Sequence, residues 1–372
     1  MTRPGAAVRV TGVGLVTSYG NGTDRFWRGL LSGRFALGPG HRFTPPAGHS
    51  VGEVPQPPGG DGSRRAYAEA ALAEALAGAG YRSVPENCLV VVVGQTPALV
   101  GPGREPAAGM AGPSLAWPGV TLAGGGPFFL THACASAAFG VSFARELMAG
   151  GVAEVAVVVG ATTLNQAEYA SLSAVRALSE GRARPFDLHR DGITVGEGAG
   201  ALVLETARRA TGRDVPADIE VTAAACRVAG AKAAASDQEV LTGCLDDALG
   251  EAGRERVDYV QAHATGTPQG DAAELAALET LADRLAVAAL PVSSHKGATG
   301  HLLHSSCFPA VAAAMLALRT GVLPPTPGLR EPERTERLRL LREPTAVPNP
   351  RQALVVSAGF GGNNAALLLS RR

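Results

Sequence analysis

Cys134 stands in the run Thr131-His132-Ala133-Cys134-Ala135-Ser136-Ala137-Ala138, where a loop gives way to a helix-like stretch of small residues. A thiol at a helix N-terminus gains from the macrodipole, which favours its anion, and the free N–H groups of the first turn can hold an oxyanion. Small neighbours leave room for a substrate. The same residues also suit a structural cysteine in a close-packed helix. Two histidines follow at a distance. His263 lies in Gln261-Ala262-His263-Ala264-Thr265-Gly266-Thr267, directly after the apolar run 257–260, so it belongs at the C-terminal end of a strand where a crevice ligand would be met. A Thr and Gly loop that merely turns the chain reads the same way. His301 closes Ser293-Ser294-His295-Lys296-Gly297-Ala298-Thr299-Gly300-His301, again strand then loop, with a helix beginning near it. Lys232 is the only other lysine in a chain rich in arginine, so Lys296 points to a need that guanidinium does not meet, with chance retention as the alternative. The fourth segment, Ser357 to Ala365, is a Gly-rich turn between strands without the following helix of a phosphate cradle.

These segments need an α/β scaffold. Short β-branched runs at 8–15, 89–94, 152–160, 199–205, 219–227, 257–262, 288–293, 353–357 and 365–370 predict strands, and Ala- and Leu-rich stretches at 63–78, 134–150, 237–252, 272–285 and 301–320 predict helices. The alternation runs twice, once to about Glu205 and once after it, with the polar stretch 206–216 as connector. The Gly- and Pro-rich stretches 38–62 and 96–126 read as long loops. With 33 basic against 33 acidic residues there is no field to draw nucleic acid or a membrane surface. The apolar runs stop well short of the roughly 18 residues of a membrane span, and the N-terminal apolar stretch is too short for a signal peptide, which predicts a cytoplasmic protein. Five scattered cysteines lack metal spacing and give no tidy disulfide set.

Taken in this order, the four segments resemble those of the β-ketoacyl synthases, the condensing enzymes of fatty acid and polyketide assembly. Arg184-Pro185-Phe186-Asp187, Arg190-Asp191-Gly192 and Gly196-Glu197-Gly198-Ala199-Gly200 resemble that family's RPFD, RDG and GEGAG signature, and 8–20 resembles its opening strand and turn. The resemblance implies a thiolase-like fold: two pseudo-symmetric halves, 1–208 with the nucleophile and 209–372 with the paired histidines, stacked α-β-α-β-α. Cys134 would be the acyl-accepting nucleophile and His263 and His301 the partners of an elongating Cys-His-His synthase. Lys296 and Glu274 would form a pair that holds the histidines, and Phe360 would be an aromatic gate. Decarboxylative Claisen condensation with a malonyl-type extender is the implied reaction. The chain itself would bind no cofactor or metal, its substrates riding on the phosphopantetheine arm of an acyl carrier protein.

The implied assembly is a homodimer, or a heterodimer with a chain-length-factor-like subunit. Thr265 and Thr267 would meet the substrate arm, and Arg176, Arg64 and Arg65 the acidic carrier, although plain solvated surface suits these arginines equally. The sequence departs from the family in four places. The stretch between Gly94 and Cys134, which helps build the dimer contact and acyl pocket, is short and rich in Gly and Pro; His304-Ser305-Ser306-Cys307 replaces a Gly-Ala-Ala-Gly run; His132 stands two positions before the nucleophile, where it either lowers the thiol pKa or lines a wall; and Asn363 replaces a threonine. These departures point to secondary metabolism. They leave two other readings open, a non-decarboxylating acyltransferase and a chain-length-factor-like partner subunit.

Overall fold

The computed structural model describes residues 7–60, 63–94, 115, 120–229, 237–253 and 256–372. Five strands come from the first part of the chain: β1 (Val8–Thr17), β2 (Leu89–Val93), β3 (Phe128–Leu130), β4 (Val155–Thr162) and β5 (Gly198–Thr206). They lie in the order β1-β5-β4-β2-β3, with β5 antiparallel to both neighbours and the β4-β2-β3 pairs parallel. The second part supplies β6 (Ile219–Val228), β7 (Tyr259–Gln261), β8 (Leu290–Ser293), β9 (Gln352–Gly359) and β10 (Asn363–Arg371). Their order is β6-β10-β9-β7-β8, with β10 antiparallel to both neighbours and the rest parallel. Ranked by chain position, both sets read first, fifth, fourth, second, third, with the same strand directions. Among the described residues they meet edge to edge where Arg9 and Val10 pair with Glu220 and Ile219.

The helices α1 (Arg64–Gly78), α2 (Ser136–Ala149), α3 (Gln166–Ala174), α4 (Gln238–Ala252), α5 (Pro268–Arg284) and α6 (Cys307–Thr320) complete the layers. A helix that is apolar on every side must be buried on every side. The α6 sequence CFPAVAAAMLAL meets that condition, and α6 packs between the sheets, against β5 on one side and β7, β9 and β10 on the other. Helix α2 does likewise, touching β2 and β4 of one sheet and β6 and β10 of the other. One apolar cluster joins these central helices to both sheets. A second packs α1 on the outer face of the first sheet, and a third packs α4 and α5 on the outer face of the second. Covered on both faces, β2 and β4 are buried at every residue, which is why their sequences run apolar without alternation.

Some boundaries differ from those read in the sequence. Helix α6 begins at Cys307, not at His301, because Pro309 has no N–H and fits only in a first turn; the residues between form a bridge from His301 to Val195 and a tight turn at Leu303–Ser305. Helix α2 begins two residues after Cys134. The strand β3, helix α3 and the helix Thr23–Leu31 carry too short or too weak an apolar pattern and were not foreseen. Much of the shortened stretch before Cys134 (95–114 and 116–119) lies outside the described residues. Among the described residues no helix is long and apolar enough to cross a membrane.

Candidate active site

The carboxyl ends of the parallel strands deliver the chemistry. Cys134 follows β3, His263 follows β7, Lys296 and His301 follow β8, and Phe360 follows β9. The turn that carries Cys134 is sharp: Ala133 has φ +46°, a left-handed conformation that costs a non-glycine residue energy. Two bonds of Ser136 stabilise the turn, since its Oγ accepts from His132 N–H at 2.8 Å and donates to the Ala133 carbonyl at 2.6 Å. The β9 end of the second sheet presses against the same turn. A Cβ on Gly359 would lie 2.9 Å from the Cys134 nitrogen and 3.0 Å from the His132 oxygen, so only glycine permits the approach. The N–H groups of Phe360 and of Cys134 itself lie near enough to the sulfur to favour its anion.

Burial pushes the Cys134 thiol up to about 11, and the Lys296 charge and these two N–H groups only partly offset it. The helix-dipole expectation is therefore outweighed by desolvation. At rest Cys134 carries a thiol.

His263 is clamped at both backbone ends. Its N–H donates to Glu274 at 2.7 Å, as does the Ala264 N–H at 2.7 Å, and its carbonyl accepts from Lys296 Nζ. Asp271, one turn earlier on α5, accepts from Thr265 and Gly266 N–H at 3.0 and 3.1 Å and fixes the rest of the loop. Among the described residues no ion pair joins Lys296 to Glu274; the two act on opposite ends of one residue. Burial pushes Lys296 down and Glu274 up, and the charges oppose these shifts by stabilising each other. His301 is held by the first half of the chain, its N–H donating to the Thr194 carbonyl at 2.7 Å and its carbonyl accepting from Gly196 N–H at 3.0 Å. Glu197 of the GEGAG run buttresses that segment by accepting from Val54 N–H at 3.0 Å and Tyr67 hydroxyl at 2.8 Å.

The imidazoles of His263 and His301 meet edge to face with centroids 5.4 Å apart. Burial, then the nearby Lys296 charge, holds both well below the ordinary imidazole range, so both are neutral. Among the described residues, His263 Nδ1 and both ring nitrogens of His301 have no hydrogen-bond partner.

One cavity of about 620 Å³ is lined by Cys134, His263, His301, Thr265, Thr267, Arg176 and Phe360 together. Lys296 and Glu274 stand behind it. Arg176 is exposed at its rim, and the exposed Arg65 bonds Glu69 at 2.7 Å. Two expectations fail. Arg64 is no surface docking residue: it shares the sheet-facing side of α1 with Tyr67, Ala68 and Ala71, is 5% exposed, and pairs with Glu168 at 3.0 Å. His132 neither lines the cavity nor shifts the thiol. Its ring stacks on Phe139 at 3.9 Å and its Nδ1 bonds Asn363 Oδ1 at 3.0 Å, while Asn363 Nδ2 donates to the Phe360 carbonyl at 2.7 Å. The sequence did not reveal Glu168, Leu172 and His304 as cavity residues, nor Gly359 as the point of closest approach. Only His304 left a signal, as bulk in place of glycine. Among the described residues no group of His, Cys, Asp or Glu is placed to hold a metal.

A thiol, two neutral imidazoles and paired N–H donors at the ends of a duplicated α/β sheet define a thiol acyltransferase of the thiolase-like fold. Residues 122–210 match the β-ketoacyl synthase N-terminal domain and 217–330 its C-terminal domain. A 3-oxoacyl-[acyl-carrier-protein] synthase 2 of Rhizobium meliloti is 31% identical, covering 98% of each chain. The oxytetracycline polyketide putative β-ketoacyl synthase 1 of Streptomyces rimosus is 33% identical, covering 64% of this chain and 58% of its own length. Among solved structures, the ishigamide ketosynthase/chain length factor superposes with a TM-score of 0.85 at 26% identity, covering 99% of this chain and 100% of that one. The chain belongs to the β-ketoacyl synthase family.

Proposed function

We propose that the protein carries an acyl group on Cys134 and condenses it with a malonyl-type extender, both delivered on the phosphopantetheine arm of an acyl carrier protein. The observation that supports this most is the meeting of Cys134, His263 and His301 on one cavity, with two N–H donors at the sulfur. The Cys134 sulfur loses its proton as it attacks the acyl thioester; the carbonyl oxygen, turned anionic, takes the N–H groups of Cys134 and Phe360, and the carrier thiol leaves with a proton. The extender thioester then occupies the vacated arm site past Thr265 and Thr267. His263 and His301, neutral and with free ring nitrogens, hydrogen-bond its carbonyl oxygen. As the carboxylate departs as CO₂, the electron pair passes to an enolate held by those bonds. Its carbon attacks the Cys134 thioester, a carbon–carbon bond forms, and the thiolate is expelled and reprotonated.

Lys296 and Glu274 position His263 and touch no reacting atom. Arg176 and Arg65 serve carrier docking, and Phe360, beside Leu172, Tyr169 and Leu303, gates the acyl branch. The reading extends to a cytoplasmic enzyme divided near residues 208 and 209, working as a homodimer or beside a chain-length-factor-like subunit, in polyketide or fatty acid assembly. Incubation with acyl- and malonyl-carrier proteins should release CO₂ and lengthen the acyl chain by one keto unit. Cys134→Ala should abolish loading with an unchanged fold, since thiol to methyl alters little volume. No CO₂ release, or loading that survives Cys134→Ala, overturns the proposal.

A further inference from the structure

A line of polar side chains joins the two strands that end at the histidines. The β7 and β8 ladder pairs Val260 with Val292 and Gln261 with Ser293, and it stops before His263. Side chains extend the tie. The Tyr259 hydroxyl donates to Gln261 Oε1 and, having a single proton, accepts from Ser293 Oγ at 2.6 Å. Gln261 Nε2 can only donate, so His295 Nδ1, 3.1 Å away, is the acceptor. Burial, then the nearby Lys296 charge, holds the His295 imidazole well below its ordinary range, so the ring is neutral and keeps that lone pair. All four side chains are fully buried, and none of them lines the cavity.

His295 touches both histidine-bearing segments. Its ring holds Gln261, two residues before His263 on the same strand. Its carbonyl accepts from the N–H groups of Ala298 at 2.9 Å and Thr299 at 3.3 Å, which closes the turn that carries Lys296 and leads to His301. Lys296 in turn donates to the His263 carbonyl, so the two segments are tied twice. Phe26 meets the His295 ring edge to face, with centroids 6.1 Å apart, and fixes its plane. Packing alone would be better met by leucine, because among the described residues His295 Nε2 is buried without a partner.

We infer that His295 is a positioning residue for the extender step: through Gln261 and the turn to His301 it fixes the two imidazoles relative to each other, so that both reach one thioester carbonyl oxygen. This rests on the condensation proposed above. Because Cys134 belongs to a different turn, the role predicts that one step suffers and the other does not. The test loads the full chain from an acyl-carrier protein, read as mass gained at Cys134, and then measures CO₂ released from malonyl-carrier protein in a single turnover. In His295→Leu, loading should stay within about twofold of wild type and CO₂ release should fall about tenfold, the order of one buried hydrogen bond. His295→Asn can place its Oδ1 where Nδ1 stands and should regain most of that rate. Should His295→Leu fail to fold, Tyr259→Phe decides: it frees Gln261 with little change of volume and should slow CO₂ release about threefold with loading unchanged. CO₂ release unchanged in the variant that decides, both steps slowed equally, or His295→Asn no faster than His295→Leu overturns the positioning role and leaves the condensation intact. Wild-type protein that releases no CO₂ overturns the condensation, and the positioning role with it.

Discussion

Raising the pH across Cys134 tests the electrostatics of the site directly. With the thiol pushed up to about 11, the reactive thiolate is roughly one part in ten thousand at pH 7 and one in a hundred at pH 9. Alkylation by iodoacetamide should therefore rise about tenfold per pH unit from 7 to 9 and continue climbing to pH 10. Loss of the Lys296 charge in the same range only delays the plateau, because that charge favours the thiolate. An unperturbed thiol would level off above about pH 9, and a thiolate paired with an imidazolium would be flat from about pH 6. The reaction is followed by the mass of the Cys134 peptide. Cys88, Cys244 and Cys307 are buried and pushed up to about 12, so they should be modified later. A plateau at or below pH 8.5, or first labelling at Cys307 or Cys244, refutes the account of burial opposed by Lys296 and two N–H groups.

Gly359→Ala should cut acyl loading by roughly a hundredfold, because the new methyl must drive the Phe360 N–H away from the sulfur; single-turnover loading measures it. Glu274→Ala leaves the buried N–H groups of His263 and Ala264 unpaired and removes the carboxylate charge that favours a protonated Lys296, and urea titration should show a loss of about 3–5 kcal/mol. Asn363→Ala breaks the link from His132 to the Phe360 carbonyl and should slow turnover severalfold with little change in the melting temperature, as read by steady-state kinetics beside thermal unfolding.

That Cys134, His263 and His301 belong to one site was legible because each sits where a strand's apolar run stops and a loop of small residues begins, and that pattern is local. The strands buried on both faces were legible for the same reason. What stayed hidden depends on distance in the chain. Arg64 opens a helix and looks like surface, yet the i, i+3, i+4 and i+7 face it shares with Tyr67, Ala68 and Ala71 turns inward onto Glu168, 104 positions away. His132 looked like a modulator of the thiol by proximity in sequence, but stacking on Phe139 and the bond to Asn363 turn the ring aside. Strand β3 has only three residues, and it exists because β2 lies alongside it. The position of α6 yielded to a single proline, whose missing N–H weighs more than the continuous apolar run around it.

The duplicated strand order governs how the cavity is walled. Strand β3 and strand β8 hold the same rank in their sheets, and one ends at the thiol while the other leads to an imidazole. Likewise β4 leads to Glu168 and β9 to Phe360. Equivalent corners of the two sheets thus present different side chains to one shared hollow, and neither sheet supplies the whole lining. A substitution at one sheet's corner therefore changes a cavity that the other sheet also walls, so the two sheets are not independent modules.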